Sequence, residues 1–203
     1  HNGVQVLSDE ADYDRYCYFV AGTVGYMATE LVVDFYRLPG SVADRLLDTC
    51  EACGRGLQKT NIVKDFPKDL VRGVSFLPDR WMREVDGAPL ALDGAPTQWK
   101  HMVLDNVMGE LRTSVDYVLA LPYSAAGYRM ASLLCLLPAY QTILLAAQRQ
   151  ESLFTRDHRV KISRETLTQC MLDAQSMVTD NRAILQYGHD IERAINVAFN
   201  GRA

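Results

Sequence analysis

The chain has 203 residues, 48% hydrophobic and 23% charged, which suits one domain with a sizeable core and excludes a disordered chain. Its 25 acidic residues outweigh 21 basic ones, so no nucleic-acid partner is expected. Five cysteines, an odd number, argue against a secreted disulfide scaffold and for a reducing, cytoplasmic setting.

His1 stands where an initiator Met is expected and no signal-peptide pattern follows, which reads as a processed product or a fragment. Apolar residues then recur at three and four. Tyr16, Val20, Val24, Met27 and Leu31 form a first helical stripe. Leu38-Pro39-Gly40 ends that helix, and Ser41 can cap the next. Asp86-Gly87-Ala88-Pro89 and Asp93-Gly94-Ala95-Pro96 delimit a loop, with Thr97 a cap for the helix after it. Val103, Val107, Leu111, Val115 and Val118 stripe that helix, and Leu121-Pro122-Tyr123 ends it.

Met130 to Ala147 carries no formal charge, but Pro138 and several polar side chains weaken a membrane-spanning reading; a buried helix or a cavity wall is expected. A break follows at Thr155-Arg156-Asp157-His158, and Ser163-Arg164-Glu165 starts a further helix. Leu167, Met171, Ala174 and Val178 stripe it, and Ile184, Tyr187, Ile191 and Ile195 stripe the last. Alternating patterns are almost absent, so the expected fold is all-α, a single helical domain over residues 1–203.

Two segments depart from a plain bundle. In Gly56–Asp69 the residues Gln58, Asn61, Asp65 and Asp69 fall at i, i+3, i+7 and i+11, on one helix face. Two carboxylates beside two amides suit a hard cation such as Mg²⁺, which is often shared with a substrate phosphate. Lys59, Lys64, Lys68 and Arg72 can then meet the phosphate charge. Spacing alone fits a solvated, salt-bridged face at least as well. Pro67 should kink or end the helix just before Asp69.

The second segment is Tyr16-Cys17-Tyr18-Phe19-Val20-Ala21-Gly22-Thr23-Val24-Gly25. Two glycines inside a helical pattern cost about 1 kcal/mol each, offset by close helix packing or by room for a ligand. Tyr16 offers a phenol that can hydrogen-bond or donate a proton at a reacting centre; a packed tyrosine is the simpler alternative. Elsewhere Cys50-Glu51-Ala52-Cys53 has the spacing of half a zinc site without a second ligand pair.

Together the two segments, in this order, resemble the squalene/phytoene synthase family. Tyr16–Gly25 is similar to its YCxxVAGxVG signature and Gly56–Asp69 to its second aspartate-rich motif, and Phe76-Leu77-Pro78 fits the aromatic-x-Pro that follows. The resemblance implies an isoprenoid synthase-type helical bundle that joins two prenyl diphosphates head to head through a cyclopropyl intermediate. It implies Asp65 and Asp69 as ligands of Mg²⁺ and diphosphate, with Gln58 and Asn61 beside them and Tyr16 near the departing diphosphate. It places Val20, Val24, Leu57, Leu134, Cys135 and Pro138 along the prenyl channel. Arg159–Arg164 resembles a basic stretch of squalene synthases, which implies Lys161 and Arg164 as partners of NADPH phosphates and tips the expected product toward squalene.

The family's first aspartate-rich motif normally precedes the Tyr-Cys signature, and only fifteen residues precede Tyr16. The N-terminal helices of the fold are therefore expected to be missing from this chain, which should expose a large apolar face and be inactive alone. A second chain or segment carrying that motif is the expected partner. Lys68 holds a position where the family often has Glu, which keeps a non-catalytic partner subunit open. The greasy substrate and product suggest peripheral membrane contact.

Overall fold

A computed structural model describes residues 5–85 and 95–200. The loop expected at 86–94 and the chain start at His1 lie outside the described residues. Strand β1 (Gln5–Leu7) leads to α1 (Glu10–Cys17), which Asp9 caps by accepting from the Asp12 N–H at 3.0 Å. A π-helical turn, Tyr18–Gly22, joins α1 to α2 (Thr23–Tyr36), where the sequence pattern predicts a continuous α-helix. Arg37, in the left-handed region at φ 50°, ends α2.

Helix α3 (Gly40–Val71) is the longest described element and runs through Pro67, so Asp69 is helical and the helix does not end before it. Neither Ser41 nor Thr97 caps a helix: Pro39 and Pro96 occupy those places. Strand β2 (Val74–Pro78) pairs in parallel with β1, a short sheet that the sequence pattern did not reveal. After α4 (Asp79–Arg83) come α5 (Thr97–Ala120), α6 (Ala126–Gln148), α7 (Arg164–Met177) and α8 (Asn181–Asn200). Ser163 caps α7 by accepting from the Thr166 N–H at 3.1 Å.

The core lies between α3, α5, α6 and α8. Val103, Val107, Leu111, Val115 and Val118 of α5 are all buried, as are Ile184, Ile191 and Ile195 of α8. Arg129 on α6 is fully buried and donates to the Val118 and Leu121 carbonyls, each at 2.6 Å, and to the Val178 carbonyl at 2.7 Å. It thereby satisfies carbonyls at the ends of α5 and α7 that have no helical donor.

The α2 stripe behaves differently. Val20, Val24, Met27 and Leu31 are exposed, as are Phe19 and Phe35. The opposite side of α2, through Gly25, Thr29 and Val32, packs inward, and no described element covers the stripe. In α7, Leu167 and Met171 are likewise exposed, while Cys170, Ala174 and Met177 are buried. The apolar period located these helices but did not say which stripe the chain itself covers.

Two stretches, Glu10–Tyr36 and Tyr123–Gln148, are long and apolar enough to cross a membrane by length and composition. Half of the second is buried inside the protein, and its helix α6 forms a cavity wall.

Candidate functional site

Helix α3 meets two different spaces. Gln58, Asn61, Asp65 and Asp69 line one polar cleft of about 180 Å³, as their spacing predicts; Ile62, Lys68, Arg72 and Phe76 complete it. Tyr16 lies at this end of the molecule, its ring stacked on Phe76 with centroids 4.8 Å apart. Burial, then Cys17 and Asp69, pushes the Tyr16 phenol above its ordinary pKa, so it keeps its proton at neutral pH.

Charges in the cleft are unevenly shared. Arg159 donates to Asp65 Oδ1 at 2.6 Å, and Lys64 Nζ lies 3.4 Å from Oδ2. Lys64 also donates to the Asn61 amide oxygen at 2.8 Å. Arg72 is 3.8 Å from Asp69. Burial first, and Asp65 second, raises the Asp69 carboxyl above its usual pKa, against the pull of Arg72 and Lys68.

Lys59 is a correction. It faces away from the cleft, 2% exposed, with Asp14 at 2.7 Å, Asn106 at 2.8 Å and Glu110 at 2.9 Å. Arg55 shares Glu110 at 2.9 Å. A buried ammonium needs such partners, so Lys59 ties α1, α3 and α5 together and is not available to a phosphate.

The second space is an apolar cavity of about 350 Å³ between α2, α3, α5 and α6. Val20, Val24, Leu57 and Cys135 line it, as expected of a channel. Leu134 and Pro138 sit on α6 outside the lining, Leu134 exposed and Pro138 half-buried within the helix. Tyr117 and Tyr128 also line it and were not singled out by sequence. Tyr117 hydrogen-bonds Thr29 at 2.8 Å and Tyr128 at 3.3 Å, so its hydroxyl is satisfied within the wall. Leu57 and Gln58, adjacent in sequence, thus face the apolar and the polar space respectively.

The glycines shape this wall. A Cβ on Gly25 would stand 2.3 Å from the Cys50 carbonyl oxygen, and one on Gly54 2.2 Å from that of Ala21. Backbone meets backbone where α2 and its π-turn cross α3, which is the close packing that offsets the glycines' cost in a helix.

Lys161 and Arg164 are both exposed, at the end of the α6–α7 connection and at the start of α7. They form no ion pair among the described residues. Among the described residues no group of three His, Cys, Asp or Glu side chains is placed to hold a metal ion. The hard-oxygen set of Asp65, Asp69, Gln58 and Asn61 nevertheless fits a cation that keeps most of its water.

The sequence model of the squalene/phytoene synthase family matches residues 2–166. The chain belongs to that family. It is 31% identical over 199 residues to squalene synthase of Eremothecium gossypii, covering 92% of this chain and 42% of the relative. Squalene synthase ERG9 of Saccharomyces cerevisiae is 30% identical over 183 residues, covering 87% of this chain and 39% of the relative. The solved structure of TcSQS with the ligand BPH1237 superposes with a TM-score of 0.83 at 23% identity, covering 98% of this chain and 57% of the other. The fold is thus the isoprenoid synthase-type helical bundle, and the chain spans about two fifths of the length of these curated relatives.

Proposed function

We propose that this chain supplies the Asp65–Asp69 part of a head-to-head prenyl diphosphate synthase, most economically one that converts two farnesyl diphosphates to squalene through a cyclopropyl diphosphate. The observation that carries the reading is the junction on α3, where an apolar cavity walled by Leu57 adjoins a carboxylate-amide cleft beginning at Gln58. A prenyl diphosphate has the same division, a hydrocarbon tail and a charged head.

Asp65 and Asp69 would hold Mg²⁺, with Gln58 and Asn61 orienting its waters or the diphosphate oxygens. Bound there, the cation would neutralise the leaving group's charge. Tyr16, protonated at neutral pH, would donate a hydrogen bond to the departing diphosphate. Val20, Val24, Leu57 and Cys135 would enclose the allylic chain and keep water from the carbocation. Leu134 and Pro138 would act on the channel through the set of α6. Lys161 and Arg164 would meet NADPH phosphates if reduction follows coupling; a phytoene- or dehydrosqualene-type synthase would dispense with that step.

Two features support a partner that completes the site, a second chain or segment bringing another aspartate-rich helix. The α2 stripe from Phe19 to Phe35 is exposed, and it borders the cavity at Val20 and Val24. The alternative, a non-catalytic subunit of the same fold, is favoured by Lys68, which puts a cation in the cleft where the family often has a carboxylate. The enzyme reading expects Asp65→Ala, in the complete assembly, to lower turnover of farnesyl diphosphate by at least about a hundredfold. Undiminished turnover would remove Asp65 from the reaction. Peripheral membrane contact belongs to this reading through its greasy substrate and product.

A further inference from the structure

We infer that Arg159 is a resident counter-cation of Asp65, which a divalent cation must displace, so that cation and diphosphate enter this cleft as a coupled pair. The inference rests on reading the cleft as a cation and diphosphate site. Arg159 is separated from Asp65 by 94 residues, so the pair is made by the fold and not by helical spacing. Its guanidinium holds Oδ1 at 2.6 Å while Lys64 faces Oδ2 at 3.4 Å, so both oxygens of Asp65 already face positive charge. Asp69, one turn on, has Arg72 at 3.8 Å as its one ion pair among the described residues, with Lys68 acting on it less directly. The two carboxylates are therefore unequal, and Asp65 is the one that must be vacated.

The connection carrying Arg159 is built to let the side chain move while the backbone stays. Phe154 is buried against Phe66 and Trp99, with ring centroids 5.2 and 5.5 Å away. Val160, the residue after Arg159, is 2% exposed. Between these anchors Arg159 itself is half-exposed. The guanidinium can leave Asp65 by side-chain rotation, without disturbing either anchor.

A guanidinium and a metal ion compete for the same carboxylate lone pairs. Arginine keeps its charge on release and needs another anion, and a diphosphate offers the paired oxygens that a guanidinium binds best. A cation arriving alone must therefore strand Arg159, whereas a cation arriving with diphosphate does not. The coupling is reciprocal, as linkage requires.

The test is Mn²⁺ binding to the 203-residue chain, read by the electron paramagnetic resonance of free Mn²⁺, with and without methylene diphosphonate. Arg159→Gln should bind Mn²⁺ alone about threefold to fivefold more tightly than the parent chain, the range open to a partly exposed ion pair. The gain in Mn²⁺ affinity on adding the diphosphonate should be smaller in that variant than in the parent. Lys68→Gln removes one positive charge from the same cleft without touching Asp65 Oδ1, and should tighten Mn²⁺ binding less. Equal effects of the two variants, or unchanged or weaker Mn²⁺ binding in Arg159→Gln, would overturn the displacement. Asp65→Asn separates the two readings: Mn²⁺ binding untouched by that variant would overturn the cation site itself, and the displacement with it.

Discussion

At the scale of the residue, the thiols give a direct test of the cavity. Cys53 and Cys135 line it, and Cys135 is exposed. Burial pushes the Cys53 thiol up to about 12, against an ordinary value near 9, so at pH 8 it remains a neutral, poor nucleophile. Peptide-mapped iodoacetamide labelling at pH 8 should therefore modify Cys135 well before Cys53. The rate at Cys53 should keep rising with pH beyond 9 rather than levelling there, because its thiolate fraction is still growing. A farnesyl diphosphate analogue that occupies the cavity should protect Cys135. Equal labelling of both thiols at pH 8 would contradict the packing around Cys53. Gly54 provides a second test. A methyl group there meets the Ala21 carbonyl, which cannot yield as a flexible side chain does, so Gly54→Ala should destabilise the chain by about 1–3 kcal/mol in a chemical melt. An unchanged midpoint would mean that α3 and the π-turn are not in such close contact.

At the scale of the element, the α2 face decides whether the chain needs a partner. Leu31 is 66% and Phe35 78% exposed on α2, and Phe19, in the π-turn before it, is 66% exposed. Single exposed apolar residues are ordinary, and a group of this kind is the surface that the proposed partner would cover. Met27→Glu with Leu31→Glu should leave the chain's own melting temperature nearly unchanged, since neither residue is buried, yet weaken its association with a completing chain by at least about tenfold. Association unaffected by both charges would place the interface elsewhere. This element also shows what sequence periodicity can convey. The period made α2 a helix with an apolar stripe, but a stripe reads the same whether its own chain or another molecule covers it. In α5 and α8 the stripe did coincide with the core, because those helices have neighbours on that side. Proline was the other difficulty: Pro67 was expected to kink or end α3 just before Asp69, and of these the end does not occur, since the helix continues to Val71 and keeps Asp69 on the face of Asp65.

At the scale of the whole molecule, local spacing predicted what one helix can place, and the fold supplied the rest. Gln58, Asn61, Asp65 and Asp69 were legible as a face because a helix alone brings them together. Arg159 was legible as part of a basic stretch, but its partner Asp65 comes from α3 across the fold. Lys59 looked available from its position next to Gln58, and only the packing of α1 and α5 shows it enclosed by Asp14, Asn106 and Glu110. The aromatic wall formed by Tyr117 and Tyr128 joins α5 to α6, with Thr29 of α2 bonded to Tyr117, so no single window of sequence contains it. In the proposed function the chain is one part of a prenyl synthase completed by another. The most direct test is native mass spectrometry of the material purified from its source, followed by assay with farnesyl diphosphate, Mg²⁺ and NADPH. The expected result is a complex of this chain with a second polypeptide that forms a C30 hydrocarbon. Efficient product formation by this chain alone, with no other polypeptide present, would contradict it.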